Sequence, residues 1–229
     1  MMVVNPGLQG AVTSLKSVFQ SITPDCCPLT YNFHLHTVYS DGQMRPEALL
    51  QQAVSQGLKG LAITDHHSVA GYQAAKDWLD HWNAQAAPDH RSPYLWSGVE
   101  ITANLLDIEV HILGYGFDPE HIALKPYLVG HSPKGEISKA IQVIRSIQEA
   151  GGLAILAHPA RYKKRPAELI AAIALLGIDG VEAYYCYGNL DPWQPSPEQT
   201  QIVLALSQTY GLLKTCGTDS HGLSILKRV

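Results

Sequence analysis

The chain has 229 residues, 46% of them hydrophobic and only 16% charged, a composition that can bury a large core and is not that of a disordered chain. Lys and Arg number 16 against 20 Asp and Glu, a formal net charge of −4. This excludes a broad nucleic-acid-coating or DNA-binding surface, though not a nucleotide or short RNA entering a cleft. The longest apolar stretches, such as 169–176, fall well short of the roughly 20 residues a membrane-spanning helix needs, and the N-terminus lacks the regions of a signal peptide. Four cysteines (26, 27, 186 and 216) form no CxxC pair, so reduced thiols and a cytoplasmic setting are expected.

In chain order, residues 1–30 read as an N-terminal helical extension. Leu8, Val12, Leu15, Val18 and Phe19 recur at helical spacing, and the helix is expected to pack on the outside of the body. From residue 31 onward, short β-like runs alternate with helical stretches. Tyr31–His36 reads as a strand. Pro46 and Gly57 bracket a helix with Leu49, Leu50, Ala53 and Val54 on its apolar face. The strand "GLAIT" and another helix follow, then the strands "YLWSGVE" and "IEVHILGY" with a short connection. The segment 118–134 reads as the least structured. Next comes a helix with Ile137, Ala140, Ile141 and Ile144 on one face. The strand "LAILA", a helix from Pro166, the strand "DGVEAYY", a loop over 187–197, a helix from Pro197 and the strand "LLKTCG" complete the chain. Seven strands and about six helices imply an α/β fold with a mostly parallel sheet.

Histidine is the unusual component, with 11 residues. His34 and His36, two apart on a strand, share a face with Cα atoms about 6.6–6.8 Å apart, so both imidazoles can reach one divalent cation. Asp41 follows in the turn-like "YSDG". The pattern then recurs. "GLAIT" leads into Asp65, His66 and His67, "YLWSGV" into Glu100, and "IEVHILGY" carries His111. "LAILA" leads into His158, and the last strand into Asp219 and His221. Strand C-termini of parallel sheets converge on one face, so most of these residues are expected in one cleft. Imidazole and carboxylate without thiolate suit Zn, Mn or Fe. Six of these histidines (34, 36, 66, 111, 158 and 221) and three carboxylates (Asp41, Glu100 and Asp219) are enough for two or three divalent ions, whose charge would attract a phosphate. Arg161, in "HPARYKKR", is the candidate phosphate ligand. Lys163, Lys164 and Arg165 read as a solvated basic start to the next helix, and His81, His90, His121 and His131 as surface residues. No GxxxxGK[ST] loop, HExxH or GxSxG occurs.

The motifs "HLHTVYSDG", "LAITDHH", "GVEI", "EVHILGY", "LAHPARY" and "GTDSHG" together resemble those of the PHP (polymerase and histidinol phosphatase) family of metallophosphoesterases. Within that family they are most similar to the nucleoside 3′,5′-bisphosphate phosphatase and 5′→3′ exoribonuclease branch. The resemblance covers nearly all of 31–229, read as the phosphoesterase domain, and implies a distorted (β/α)7 barrel. It implies that His34, His36, Glu100 and Asp219 hold one metal, Glu100, His111 and His158 a second, and Asp41, His66 and His221 a third. Asp65 is implied to orient an imidazole by a hydrogen bond. The expected activity is hydrolysis of a phosphomonoester of a small, nucleotide-like substrate by a metal-bridging hydroxide. Arg161 would orient the phosphate, and Asp65, His67 or a metal-bound water would protonate the leaving group. The alternatives are a 5′→3′ exoribonuclease or phosphodiesterase on short RNA, and a metal-binding regulatory module without turnover. Three departures stand out: Asn32 replaces the usual Asp, His67 replaces another, and the segment between His111 and His158 is short.

Overall fold

The computed structural model describes residues 6–85 and 92–229; His90 and the side chain of Leu8 lie outside the described residues. Among the described residues, six α-helices accompany eight strands. The helices are α1 (Pro6–Ser21), α2 (Pro46–Gln56), α3 (Ala70–Gln85), α4 (Ala140–Glu149), α5 (Pro166–Ala174) and α6 (Pro197–Tyr210). The strands are β1 (Tyr31–Asn32), β2 (Gly60–Ala62), β3 (Tyr94–Trp96), β4 (Gly98–Leu105), β5 (Ile108–Tyr115), β6 (Leu153–Leu156), β7 (Gly180–Tyr184) and β8 (Leu213–Cys216). They form a parallel sheet in the order β1-β2-β3 and a second sheet in the order β4-β5-β6-β7-β8. In the second sheet β5 runs antiparallel to both neighbours, and β6, β7 and β8 are parallel.

The chain is thus a mixed α/β fold whose strands are assigned to two sheets rather than to one seven-stranded barrel. The extra strand arises where "YLWSGVE" divides at Ser97, whose hydroxyl donates to the Phe117 carbonyl at 2.7 Å. Beside it, a Cβ on Gly98 would lie 2.3 Å from the Ile63 carbonyl oxygen, so only glycine permits the chain to cross there. Backbone bonds link the two sheets. Phe33 N–H donates to Cys216 O, Asp219 N–H to His34 O, and Glu100 N–H to Asp65 O. Strand β1 is also shorter than Tyr31–His36. Beyond Asn32 the chain stays paired through single bridges and bonds such as Leu35 with Ser220, which keeps His34 and His36 beside β8.

Buried parallel strands should be continuously apolar, and β2 and β6 are buried at every residue. Helix α2 buries Pro46, Leu49, Leu50 and Ala53, and Gly57 ends it at φ +70, the left-handed stop expected of glycine. Helix α4 departs from its expected face. Its buried residues are Ala140, Val143, Ile144 and Ile147, whereas Ile137 lies in a preceding 3-10 turn and is exposed. The cause is Lys139, extended at ψ 135 and bridged to Asn104 of β4, which delays the helix. The segment 118–134 is more ordered than its composition suggests: a 3-10 helix over Ile122–Tyr127 buries Leu124 and Tyr127.

Helix α1 packs on the body through one apolar face, while Lys16, Ser17 and Gln20 on the other face are exposed. Leu15 and Phe19 are fully buried in the main core cluster. The Phe19 ring packs edge-on against Phe33 and Tyr115, with centroids 4.9 and 5.6 Å away. Phe33 directly precedes His34, so this helix supports the strand end that carries the first histidines. Phe19→Ala is expected to lower unfolding stability by about 3–5 kcal/mol in denaturant titration. A loss below about 1 kcal/mol would mean that the helix is a dispensable appendage.

Candidate metal centre

The histidines and carboxylates that follow the strands meet at one end of the fold. Two of the carboxylates are buried, and imidazoles surround them. Glu100, in β4, places Oε2 3.0 Å from His34 Nε2, 3.1 Å from His36 Nε2 and 3.6 Å from His66 Nε2. Its Oε1 lies 2.8 Å from His111 Nδ1 and 3.3 Å from His158 Nε2. Asp219 divides its oxygens more sharply. Oδ1 lies 3.3 Å from Nε2 of both His34 and His36. Oδ2 accepts from the Tyr185 hydroxyl at 2.6 Å, Arg228 Nε at 2.9 Å and Arg161 Nη1 at 3.0 Å. Asp41, exposed at the rim, reaches His221 Nε2 at 3.2 Å, His36 Nδ1 at 3.5 Å and His66 Nε2 at 3.8 Å.

Among the described residues, three groups have ligand atoms within 4.8 Å of one another: His34, His36, Glu100 and Asp219; His36, Asp41, His66 and His221; and His66, Glu100 and His111. Metal ions fit them for two reasons. The donors are imidazole nitrogen and carboxylate oxygen, a set suited to Zn, Mn or Fe. In addition, the fully buried Nε2 of His36 approaches two carboxylates without an aligned hydrogen bond to either; a donor aimed at a shared point is what a cation needs.

The reversed strand β5 explains His111. Antiparallel to β6, it brings His111 to the C-terminal end of that strand, where the Ala157 N–H donates to the His111 carbonyl. Strand-end backbone is also strained here. His67, His158 and Asp219 have φ of 52°, 27° and 54°, a region that costs a non-glycine residue of order 1–3 kcal/mol and clusters at functional sites. Gly217 permits the approach of β8, since a Cβ there would lie 2.2 Å from His34 Cβ.

Several site residues lie outside the sequence expectation. Glu182, in β7, is buried. It accepts from His158 N–H at 2.8 Å and contacts His34 Nδ1 at 2.9 Å, which orients the His34 ring. Tyr162 accepts from His111 N–H at 2.8 Å. Tyr185 and Arg228 both hold Asp219. A carboxylate within the otherwise apolar run "DGVEAYY" was the only signal for Glu182, and nothing in the sequence singled out Arg228. Asn32 is buried and satisfied. Its amide donates to Thr218 Oγ1 and the Ile225 carbonyl, both at 2.9 Å, bonds that an ionised Asp could not donate.

Two expectations need correction. Asp65 does not contact an imidazole directly. Its carboxylate accepts from Thr37 N–H, Thr37 Oγ1 and Ser40 Oγ, each at 2.7 Å, and so ties the turn that carries Asp41. His67 faces Thr102, with Nε2 3.0 Å from Oγ1. Neither residue lines the central cavity, of about 360 Å³, which is walled by Asp41, Glu100, His111, His158, Arg161 and Arg228 among others. Of the remaining histidines, His121 caps a 3-10 turn, its Nδ1 accepting from Ala123 N–H, and His131 is exposed.

Facing carboxylates and imidazoles shift one another's affinity for protons. Burial alone would lower His36, but the close negative charges of Asp219 and Glu100 outweigh it and raise the ring from 6.5 to about 9. His34 is raised well above 6.5 by Glu100, Glu182 and Asp219 against the same opposing burial. Burial would raise Glu100 and Asp219, yet the facing imidazoles hold both well below the usual carboxylate range. His66, by contrast, is lowered by burial and by His36 and His111 to about 4. The stabilisation from a raised His36 is complete below about pH 6.5 and is lost as pH rises through about 9. Metal-free protein is therefore expected to melt at lower temperature at pH 9 than at pH 6.5. Adding Mn²⁺ at pH 9 should restore the loss, and titrating Mn²⁺ at pH 7 should release protons; a flat melting profile in that window would contradict this. Glu182→Gln is expected to weaken metal binding about 10–100-fold in calorimetric titration, with the fold retained by circular dichroism.

The PHP domain family profile matches residues 32–223 of this chain. A 5′-3′ exoribonuclease of Haemophilus influenzae is 24% identical over 83% of this chain and 89% of its own length. A 3′,5′-nucleoside bisphosphate phosphatase of Chromobacterium violaceum is 32% identical over 52% of this chain and 39% of its own. A solved structure from Bifidobacterium adolescentis, described as a candidate metal-dependent phosphoesterase, shares the fold. Its TM-score is 0.67 at 23% identity, covering 85% of this chain and 88% of that one. The matched family profile spans every residue placed around the cavity except Arg228, and the chain belongs to the PHP family as a metal-dependent phosphoesterase.

Proposed function

We propose that the protein hydrolyses a phosphomonoester on a small, nucleotide-like substrate. The observation that carries this reading is the convergence of three donor groups on one cavity whose wall also holds two arginines, Arg161 and Arg228. Two or three ions of Mn, Zn or Fe would be held by the sets His34, His36, Glu100 and Asp219; Glu100, His111 and His158; and Asp41, His66 and His221. When bound, such ions lower the pKa of water and stabilise charge developing on phosphorus oxygens.

The protein side chains supply the rest. Arg161 is half exposed and spends Nη1 on Asp219 and Tyr185, which leaves Nε and Nη2 for phosphate oxygens. Arg228 adds a second positive group on the same wall. Tyr185, raised by burial and by Asp219, stays protonated and keeps Asp219 Oδ2 occupied. Asp65 and His67 lie behind the wall, so protonation of the leaving oxygen falls to a group lining the cavity. The reading includes a distorted (β/α)7 barrel, supported by the backbone bonds between the two sheets, and a division into an extension over 1–30 and a phosphoesterase domain over 31–229. A cytoplasmic setting is in keeping with four free thiols. Among the described residues no helix is long and apolar enough to cross a membrane.

A 5′→3′ exoribonuclease acting on short RNA is the second reading, favoured by the similarity to the Haemophilus enzyme along most of both chains. With Mn²⁺ present, wild-type protein is expected to release phosphate from mononucleotide esters. His34→Ala and Asp219→Ala should each reduce turnover by more than about 100-fold, beyond the loss from an outer hydrogen-bond partner. Unchanged activity in both variants would refute the assignment. Release of 5′-mononucleotides from 5′-phosphorylated oligoribonucleotides, at a rate exceeding phosphate release from mononucleotides, would establish the second reading instead.

A further inference from the structure

The last motif of the site, Asp219–Ser220–His221, is a tight turn with Asp219 at φ 54°. The Asp219 carbonyl lies 2.7 Å from His221 Nδ1, which occupies that ring nitrogen and leaves Nε2 facing Asp41 at 3.2 Å. One flank of the turn is held by the chain around the first histidines: His36 N–H donates to the Ser220 carbonyl and Gln43 N–H to the His221 carbonyl. The other flank is held by residues 222–228. The family profile stops at residue 223, inside that segment.

Arg228 grips the turn with both its side chain and its main chain. Its Nε donates to Asp219 Oδ2 at 2.9 Å, and its carbonyl accepts from His221 N–H at 2.7 Å and from Gly222 N–H at 3.3 Å. The residues leading to it are anchored away from the cavity. Ile225 is fully buried in the second core cluster, with Leu35, Leu49 and Leu61. Its carbonyl accepts from the Asn32 amide at 2.9 Å and from Thr218 Oγ1 at 3.2 Å. Gln52, on α2, binds the segment twice: Nε2 donates to the Leu223 carbonyl at 2.9 Å, and Oε1 accepts from Ile225 N–H at 3.1 Å. A side-chain amide has one such acceptor and one such donor group, so Gln52 serves this stretch of main chain as a neighbouring strand would.

We propose that residues 222–228 form a strap that sets the position of Asp219 and His221, with Arg228 as its positioning residue and Gln52 as its anchor on α2. The inference rests on the metal-centre reading above, since it concerns the donors of that centre. Asp219 and His221 belong to two different donor groups, so one strap holds the two groups in register with each other. Metal–ligand distances tolerate only about 0.2 Å of error, and a strap fastened in the core supplies that precision to a turn at the protein surface. Gln52 is uncharged and is not one of the donors, so its influence on the centre passes through the strap.

The test titrates Mn²⁺ calorimetrically into metal-free wild type, Arg228→Lys, Gln52→Ala and the double variant. Both substitutions keep the net charge, so a change in affinity reports position rather than electrostatics. Arg228→Lys is expected to weaken Mn²⁺ binding at least about tenfold, as for other partners that orient a ligand. Gln52→Ala should weaken it about three- to tenfold, the weight of the lost hydrogen bonds. The double variant should lose less than the product of the two, because the anchor acts through the arginine. The Mn²⁺ concentration for half-maximal hydrolysis of a nucleotide ester should rise by the same factors. Gln52→Ala binding Mn²⁺ as wild type does, or losing only stoichiometry as a partly unfolded protein would, overturns this inference alone, as do losses that multiply in the double variant. Wild type that neither binds Mn²⁺ nor hydrolyses the ester overturns it together with the reading beneath it.

Discussion

Two buried carboxylates set the terms for the whole site. Glu100 and Asp219 are 1% and 2% exposed, and an ionised carboxylate at that depth is tolerated only opposite positive charge or well-aligned donors. The fold meets this condition unequally on the two groups. The outer oxygen of Asp219 is saturated by Tyr185, Arg161 and Arg228. Its inner oxygen and both oxygens of Glu100 face imidazoles, which supply charge only by holding a proton. A divalent cation removes that requirement, and the upward shift of His34 and His36 has the same cause, the negative charge of the carboxylates they face.

The architecture follows from the same demand. Parallel strands deliver side chains to one end, but seven or eight strand ends delivered alike would crowd the centre with backbone. Reversing β5 brings His111 in from the middle of a strand, while β4 contributes Glu100 from its early residues. At the crowded end, glycines at 98 and 217 let neighbouring chains approach within what would be a Cβ radius. His158 and Asp219 adopt positive φ to turn inward. Helix α1 belongs to this structure as well, since Phe19 backs Phe33 directly behind His34.

The sequence made the helices and most strands legible because their signals are local: apolar period, Pro at the first turn and Gly at the stop. It made the ligand candidates legible because imidazoles and carboxylates after buried strands have few other uses. What it concealed depended on distant partners. The division of one strand at Ser97 rests on the approach of Phe117 and Ile63. The late start of α4 rests on Asn104. The family resemblance implied that Asp65 orients an imidazole, but adjacent residues at a strand end point to opposite sides, and Asp65 turns toward Thr37. Glu182 carried a faint signal and Arg228 none, since each matters only through contacts that the fold makes, Glu182 with His34 and Arg228 with Asp219.

The arginines show how one contact serves both charge balance and recognition. By binding the outer oxygen of Asp219, Arg161 and Arg228 leave the inner oxygen to face His34 and His36, so they hold that carboxylate in a fixed orientation. Each guanidinium has more donors than this bond uses, and both lie on the cavity wall. A phosphate entering there meets donors already held in place by a residue that also faces the candidate cation positions. Disturbing either arginine would therefore alter two things together, the orientation of Asp219 and the grip on the substrate. A Lys at either position could replace the charge but could not make both contacts, because its donors radiate from one point rather than along a planar fork.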